Sequence, residues 1–374
     1  MSMLAWRNLI HDKVRLAVTL TGIVFAVVLI VVEFGLFLGF TTTTSSLIDR
    51  SGADLWIIAK RVPYIELGVP FTERKLSAVL ATPGVVEAEK YVARFTQWKR
   101  PDGRQETVQV VGFNLDKTLG APWNIVAETL QDLKAPDTVF IDELYREKLG
   151  VTHLGQVIEI RDHRARVVGF TRGIRAFTTA PYVFTSFKNA QNYATLREDQ
   201  TLYILAKAGR GVLVEDVRRA LAARLSDVDV VTNGEFSQMT RFYWMFTTGA
   251  GLAVLLAALL GLIVGVVVVA QTIYATTMDH IREYGTLKAI GATNRYLYGV
   301  IIQQAMISAV LGYAVGITAS WFVVRGSEQG GAAILLPPEM AVGMLGLTMV
   351  MCVVAALVSI KKVTGLDPAL VFKA

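Results

Sequence analysis

The chain has 374 residues, 53% of them apolar and 18% charged, with a formal net charge of +6. That balance is too apolar for a soluble protein of this length. The excess base sits beside apolar runs and forms no separate basic patch, so nucleic acid is not an expected partner, and the lone Cys352 excludes an intrachain disulfide.

Residues 1–15 read as a cytoplasmic or interfacial helix, with Met3, Trp6, Leu9 and Ile10 on one side and Arg7, Asn8, Asp12 and Arg15 on others. The pattern suits a helix lying among lipid headgroups and equally the first turns of the span that follows. Residues 16–48 are uncharged except for Glu33. A helix crosses a bilayer with about 20 apolar residues, and a cleaved signal peptide has a core of only about 7–15. The run is therefore expected to remain as transmembrane helix 1 with a stalk extension. The excess length could also be taken up by tilt or by unwinding at Thr41-Thr42-Thr43-Thr44. An acid inside an apolar span is a candidate functional group. Eighteen residues of helix from Arg15 rise about 27 Å, which places Glu33 near the outer interface, where a carboxylate needs no special role.

Residues 49–234 form a polar segment of about 200 residues, large enough for a core of its own. Alternation and turn residues predict an α+β domain. Strands are expected at 54–59, 85–98, 106–113, 138–141, 157–161, 165–171, 202–206 and 228–231. Pro101-Asp102-Gly103 and Asp162-His163 mark hairpins. Helices are expected at 72–81, with Thr72 as N-cap and Pro83-Gly84 as stop, and at 143–149, 186–194 and 212–225. Boundaries between two subdomains are expected near 115–135 or 180–200.

Residues 235–278 read as a second stalk and transmembrane helix 2, with Phe, Tyr, Trp and Met crowded at its start. A coupling loop follows at 279–295, then transmembrane helix 3 at 296–324, a short periplasmic loop at 325–339, transmembrane helix 4 at 340–360 and a tail at 361–374. Arg7, Lys13 and Arg15 flank the first span; Arg282, Lys288 and Arg295 lie in the 279–295 loop; Lys361, Lys362 and Lys373 lie in the tail. Basic residues mark the cytoplasmic side, so both termini and that loop are expected in the cytoplasm, with the large domain outside. Three glycine pairs, Gly35/Gly39, Gly261/Gly265 and Gly312/Gly316, are spaced for close helix packing, within one bundle or across a dimer.

Catalytic signatures are missing. There is no phosphate-cradling P-loop, no zinc-protease motif and no nucleophile elbow. His11, His153, His163 and His280 are scattered without metal-ligand spacing. The spans carry too few polar residues to line an aqueous path. The chain is therefore expected to be no enzyme, to bind no cofactor or metal, and to leave ATP and Mg to a partner.

The most specific local pattern is 279–304, DHIREYGTLKAIGATNRYLYGVIIQQ. Residues 282–290 read as a short helix with Leu287 and Ile290 on one side, stopped by Gly291. It is either a lever for a partner protein or a plain turn. The run Arg282-Glu283-Tyr284-Gly285-Thr286-Leu287-Lys288-Ala289-Ile290-Gly291-Ala292 resembles the signature of FtsX-like ABC transporter permeases of the MacB type. The tail Gly365-Leu366-Asp367-Pro368-Ala369-Leu370 is similar to that family's closing motif, in which Asp367 can cap a last helix begun by Pro368. Ala53-Asp54-Leu55-Trp56 and the Glu-Tyr form of the loop motif look most like the DevC subgroup. Gln303-Gln304 stand where many relatives carry an acid.

The resemblance implies a homodimeric permease of the bacterial inner membrane, multi-pass, with a separate ABC ATPase docked at Arg282, Glu283, Tyr284, Gly285, Leu287, Lys288, Ile290 and Gly291. Export would proceed by mechanotransmission, with a periplasmic membrane fusion protein, an outer-membrane channel and membrane lipids as further partners. It also leaves open a lipoprotein-releasing permease or an FtsX-like regulator of a cell-wall hydrolase.

Overall fold

A computed structural model of the chain describes residues 13–126, 129–327 and 333–364. The N-terminal helix expected before residue 13 and the closing motif at 365–370 lie outside the described residues. The described residues divide into a helical unit, within 13–38, 253–327 and 334–364, and a mixed unit, within 39–126, 129–252 and 333.

The helical unit is built on Lys13–Thr44, Ala250–Asp279, Asn294–Ser327 and Pro338–Thr364. All four are long and apolar enough to cross a membrane. Each closes its own backbone hydrogen bonds, which is the condition for crossing hydrocarbon. The glycines show how they pack. A β-carbon on Gly261 would meet the Glu33 side chain, and one on Gly265 would meet Ile30. One on Gly312 would meet Ile23, and one on Gly316 would meet Val27. The second and third spans thus each give the first a smooth strip, and Ile23, Ala26, Val27, Ile30 and Val31 are buried between them. Gly35 lets Ile334 and Leu335 lie against the first span, where the Leu335 amide donates to the Gly35 carbonyl at 3.0 Å. In the other unit, Gly39 gives the same clearance to Ala333. Polar cross-links are sparse: Thr19 and Thr276 share a hydroxyl bond of 2.8 Å, and the Tyr313 hydroxyl donates to the Ala341 carbonyl at 2.7 Å.

The strands of the mixed unit are, in chain order, β1 Leu55–Ala59, β2 Phe71–Thr72, β3 Val85–Lys99, β4 Gln105–Phe113, β5 Ile125–Val126, β6 Thr138–Asp142, β7 Val157–Ile160, β8 His163–Thr171, β9 Tyr182–Ser186, β10 Gln200–Thr201, β11 Tyr203–Ala208 and β12 Val228–Thr232. Among the described residues, ten of these form one sheet in the order β12-β1-β11-β3-β4-β9-β6-β8-β5, with β7 beside β3 and β8. The expected boundary in a loop is not found. It lies inside β3, whose 15 residues pair with β11 up to Tyr91 and with β4 from Val92. One strand shared in this way makes the domain a single head.

Side chains alternate across a strand, so the first half of the sheet has two distinct faces. Leu55, Ile57, Ile204 and Ala206 pack on Val79 of helix Lys75–Leu80 and on Val217 and Leu221 of helix Val214–Arg224. Trp56, Ile58, Tyr91 and Tyr203 join the larger core, which also takes Phe236. The Trp98 indole N–H donates to the Leu149 carbonyl at 3.0 Å. Asp142 ends β6 and accepts from the amides of Leu144 (3.1 Å) and Ile174 (2.7 Å) and from the Thr171 hydroxyl (2.9 Å). Burial nevertheless holds its carboxyl above the usual range, outweighing those donors.

Three local expectations are corrected. Thr72 is not a helix cap: it pairs with Gln200 in β2–β10, and the helix begins at Lys75. Segment 143–149 is a 3-10 turn, Glu143–Tyr145, followed by a single α-turn, Arg146–Leu149. The two stalk rods expected over 16–48 and 235–278 are interrupted. The first helix ends at Thr44, and after Ser45 a short helix runs Ser46–Asp49. The second begins as Asn233–Phe242, capped by reciprocal bonds between Thr232 and Glu235. It passes into a π-helical turn, Tyr243–Thr247, and breaks at Gly249 (φ +73°) before Ala250–Asp279 begins. Glycine, with no β-carbon, takes that backbone conformation at no steric cost. The Arg241 guanidinium joins the two broken helices, donating to Ser45 Oγ and Asp49 Oδ2 at 2.7 Å each.

Candidate functional site

The coupling segment is a helix, Ile281–Ala289, between the second and third spans. Its end follows from local chemistry. The amides of Ile290, Gly291 and Ala292 donate back to Thr286, Lys288 and Leu287. Gly291, at φ +100°, turns the chain away, a conformation that a β-carbon opposes. The next helix starts at Asn294, where the Thr293 carbonyl takes the amides of Tyr296 and Leu297. At the other end, His280 Nδ1 lies 3.0 Å from Glu283 Oε1.

The residues expected to meet an ATPase fall on two sides of this helix. Arg282, Glu283, Thr286 and Ile290 are exposed, and Ile290 at 79% is among the most open apolar side chains of the chain. Leu287 and Lys288 are half-buried, and Leu287 packs on the helical core. Tyr284 and Gly285 face inward. Tyr284, at 1% exposed, cannot be a docking residue. Its hydroxyl donates to Gln304 Oε1 in the third span at 2.8 Å. Burial first, and the Glu283 charge second, push that phenol well above its ordinary pKa, so it stays a donor.

The arrangement ties a short helix to a span on one side and leaves the other side open. The inner side of a short helix is bolted to a span by one buried ring and one hydrogen bond. The outer side presents Ile290 together with Arg282 and Glu283. Sequence reasoning found the helix and its glycine stop. It missed the tie between Tyr284 and Gln304, because the two residues lie twenty positions apart on different helices. Gln304 accepts a hydroxyl, a task that needs no charge. The neighbouring Gln303 Oε1 is buried without a protein partner.

Asp54 and Trp56 of the 53–56 run are building residues of the head. Asp54 Oδ2 accepts from the Ala208 amide at 2.9 Å and its carbonyl accepts from the Asn233 amide at 2.9 Å, while Trp56 is fully buried. The head also contains an aromatic cluster at the π-turn. Tyr64 stacks on Tyr243 with ring centres 4.0 Å apart, and Trp244 meets Phe177 at 4.6 Å and Tyr64 at 5.5 Å.

Comparison with known proteins agrees with this organisation. Residues 16–224 match the MacB-like periplasmic core domain, and residues 255–368 match the FtsX-like permease C-terminal family. An ABC transporter permease of Mycobacterium tuberculosis is 25% identical, over 98% of both chains. One from Mycobacterium bovis is 24% identical, over 98% of this chain and 96% of its own. Among solved structures, the periplasmic region of MacB from Actinobacillus actinomycetemcomitans is 12% identical with a TM-score of 0.39, covering 50% of this chain and 92% of that one. The extracellular domain of the noncanonic ABC-type transporter YknZ from Gram-positive bacteria is 13% identical with a TM-score of 0.36, covering 48% and 98%. With four apolar helices and an α+β extracytoplasmic domain inserted after the first, the chain belongs to the ABC transporter permeases of the FtsX-like, MacB type.

Proposed function

We propose that this permease transmits the work of a separate ABC ATPase across the bacterial inner membrane, with both termini in the cytoplasm. The ATPase docks on the outer side of helix Ile281–Ala289, at Arg282, Glu283, Lys288 and Ile290, and supplies the ATP and Mg chemistry. The observation that carries this reading is the two-sided construction of that helix: Ile290 open to a partner, Tyr284 locked to Gln304. A push on the open side is passed to the third span, because the tie must move with it.

The same reading makes the active unit a homodimer and its action mechanotransmission: nucleotide-driven movement reaches the extracytoplasmic head without substrate passing between the spans. It supports this that the spans bury mainly apolar residues and glycine contacts. A membrane fusion protein, an outer-membrane channel and surrounding lipids complete the proposed assembly. The DevC assignment rests on 53–56 and on Glu283-Tyr284, which have structural roles sufficient to explain them.

The test is co-purification from membranes. We expect an ABC ATPase, identified by its own P-loop sequence, to accompany the wild-type chain and to be lost with Ile290→Asp, while insertion is unchanged. Retention of the ATPase by that variant would place the docking surface elsewhere.

A further inference from the structure

Glu66 is a buried acid that the coupling scheme does not use. It sits on the 3-10 turn Ile65–Leu67 in the head and is 8% exposed. The Trp244 indole N–H donates to its Oε2 at 3.2 Å. Trp244 belongs to the π-helical turn Tyr243–Thr247, just before the break at Gly249 that precedes the second span. A π-turn is a strained insertion in a helix and often marks a functional point.

The surroundings of the carboxyl are aromatic and phenolic. Tyr64 on its own loop stacks on Tyr243 and edges onto Trp244. Tyr203 on β11 donates its hydroxyl to the Ile65 carbonyl. Tyr182 on β9 also faces the group, close enough for its phenol to feel the Glu66 charge. The phenols of Tyr64, Tyr182 and Tyr203 are all pushed upward, so they remain neutral at any ordinary pH. Among the described residues, Glu66 is bonded by Trp244 and by its own backbone, with no cation beside it. Arg241 on the neighbouring helix is occupied by Ser45 and Asp49.

A carboxylate held away from water without a cation is costly, and the Trp244 indole and the residue's own backbone amide offset only part of that cost. The neutral acid fits the same place easily. Burial accordingly raises the carboxyl to about 7, against the lowering effect of the Trp244 bond.

We propose that Glu66 is a proton-operated latch on the π-turn: protonated, it lets Trp244 stay seated in the aromatic pocket, and ionised, it draws toward water and unseats the turn. On the extracytoplasmic side, acid then closes the turn against the head and alkali frees it.

The sign follows from linkage. In the seated state the carboxyl titrates at about 7, and in an unseated, solvated state near its ordinary 4.5. The seated state therefore binds the extra proton between those values, and its advantage declines as pH rises through that window. Each unit of difference is a tenfold change, so the whole window spans on the order of 10²-fold in the seating equilibrium.

The experiment uses the full chain in lipid nanodiscs, with amide hydrogen exchange of 243–249 followed from pH 5 to pH 9 and corrected for intrinsic exchange rates. We expect wild-type protection to fall on the order of 10²-fold across the range. Glu66→Gln, neutral and of the same shape, should stay protected throughout. Trp244→Phe removes the donor that favours the charged form, so its midpoint should move to higher pH. A wild-type profile without pH dependence, or a Glu66→Gln profile that follows it, would overturn the latch. Should Glu66→Gln not fold, a Trp244→Phe midpoint that stays in place or moves lower does the same.

Discussion

Replacing Tyr284 by Phe isolates the tie between the coupling helix and the third span. The ring and its packing remain, and only the 2.8 Å bond to Gln304 Oε1 is lost. Tyr284 is essentially inaccessible, so water does not readily replace the missing donor. A buried acceptor left without a partner costs about 1–3 kcal/mol. Tenfold corresponds to about 1.4 kcal/mol, so the local opening of Ile281–Ala289 should become roughly 5- to 150-fold more frequent. Amide hydrogen exchange on the full chain in nanodiscs reads this directly. Amides of 284–290 should exchange faster by that factor, while those of the third span beyond Gln304 stay as they were. Ile290→Ser, at an exposed position, should leave the same amides unchanged. Unaltered exchange in Tyr284→Phe, or an equal loss in Ile290→Ser, would refute the bolted helix.

Three further expectations follow from the same contacts. Gly312→Val places a side chain where Ile23 already sits, and overpacking of this kind costs about 1–3 kcal/mol; thermal unfolding in detergent should fall for it and not for Gly343→Ala, which meets nothing within 4 Å. Leu287→Asp should differ in kind from Ile290→Asp, because Leu287 packs on the helical core; it should loosen helix Ile281–Ala289 in hydrogen exchange as well as release the ATPase, whereas Ile290→Asp should only release it. Arg241→Ala removes the bridge to Ser45 and Asp49, but both charged partners are partly exposed, so the loss should be at most about 1 kcal/mol and should shrink with added salt when followed by exchange of Ser46–Asp49.

The spans were legible because length and apolarity alone decide whether a helix can cross a bilayer. The glycine pairs announced close approach, since a missing side chain has few other uses in a span, but which helix fills each gap depends on tertiary packing. The hairpin at 101–103 could be read from turn chemistry, with Gly103 at positive φ; the one expected at Asp162-His163 turns one residue earlier, at Arg161 and Asp162, and His163 begins β8. The double pairing of β3 could not be read, because its partners lie far apart in sequence and no local pattern specifies them. Nor could the break at Gly249. Glycine recurs through the following apolar run, at Gly251, Gly261 and Gly265, where the helix continues unbroken. The aromatic run Tyr243–Phe246 stood out in composition, but its partners Tyr64 and Phe177 lie far away in sequence. At the coupling helix, periodicity placed Leu287 and Ile290 on one side, but Leu287 packs on the helical core and Ile290 is open. It did not show that Tyr284 turns inward, because tyrosine suits either face and its partner lies twenty residues away on another helix.

The central claim is that this chain relays work and does not perform the nucleotide chemistry itself. The most direct measurement is hydrogen exchange in the head, over 233–249, for the nanodisc-embedded chain with its co-purified ATPase, before and after ATP. Relay predicts no hydrolysis by the chain alone and an ATP-dependent change in those amides that Ile290→Asp abolishes. Hydrolysis by the isolated chain, or a head that responds to ATP equally in the Ile290→Asp variant, would contradict it.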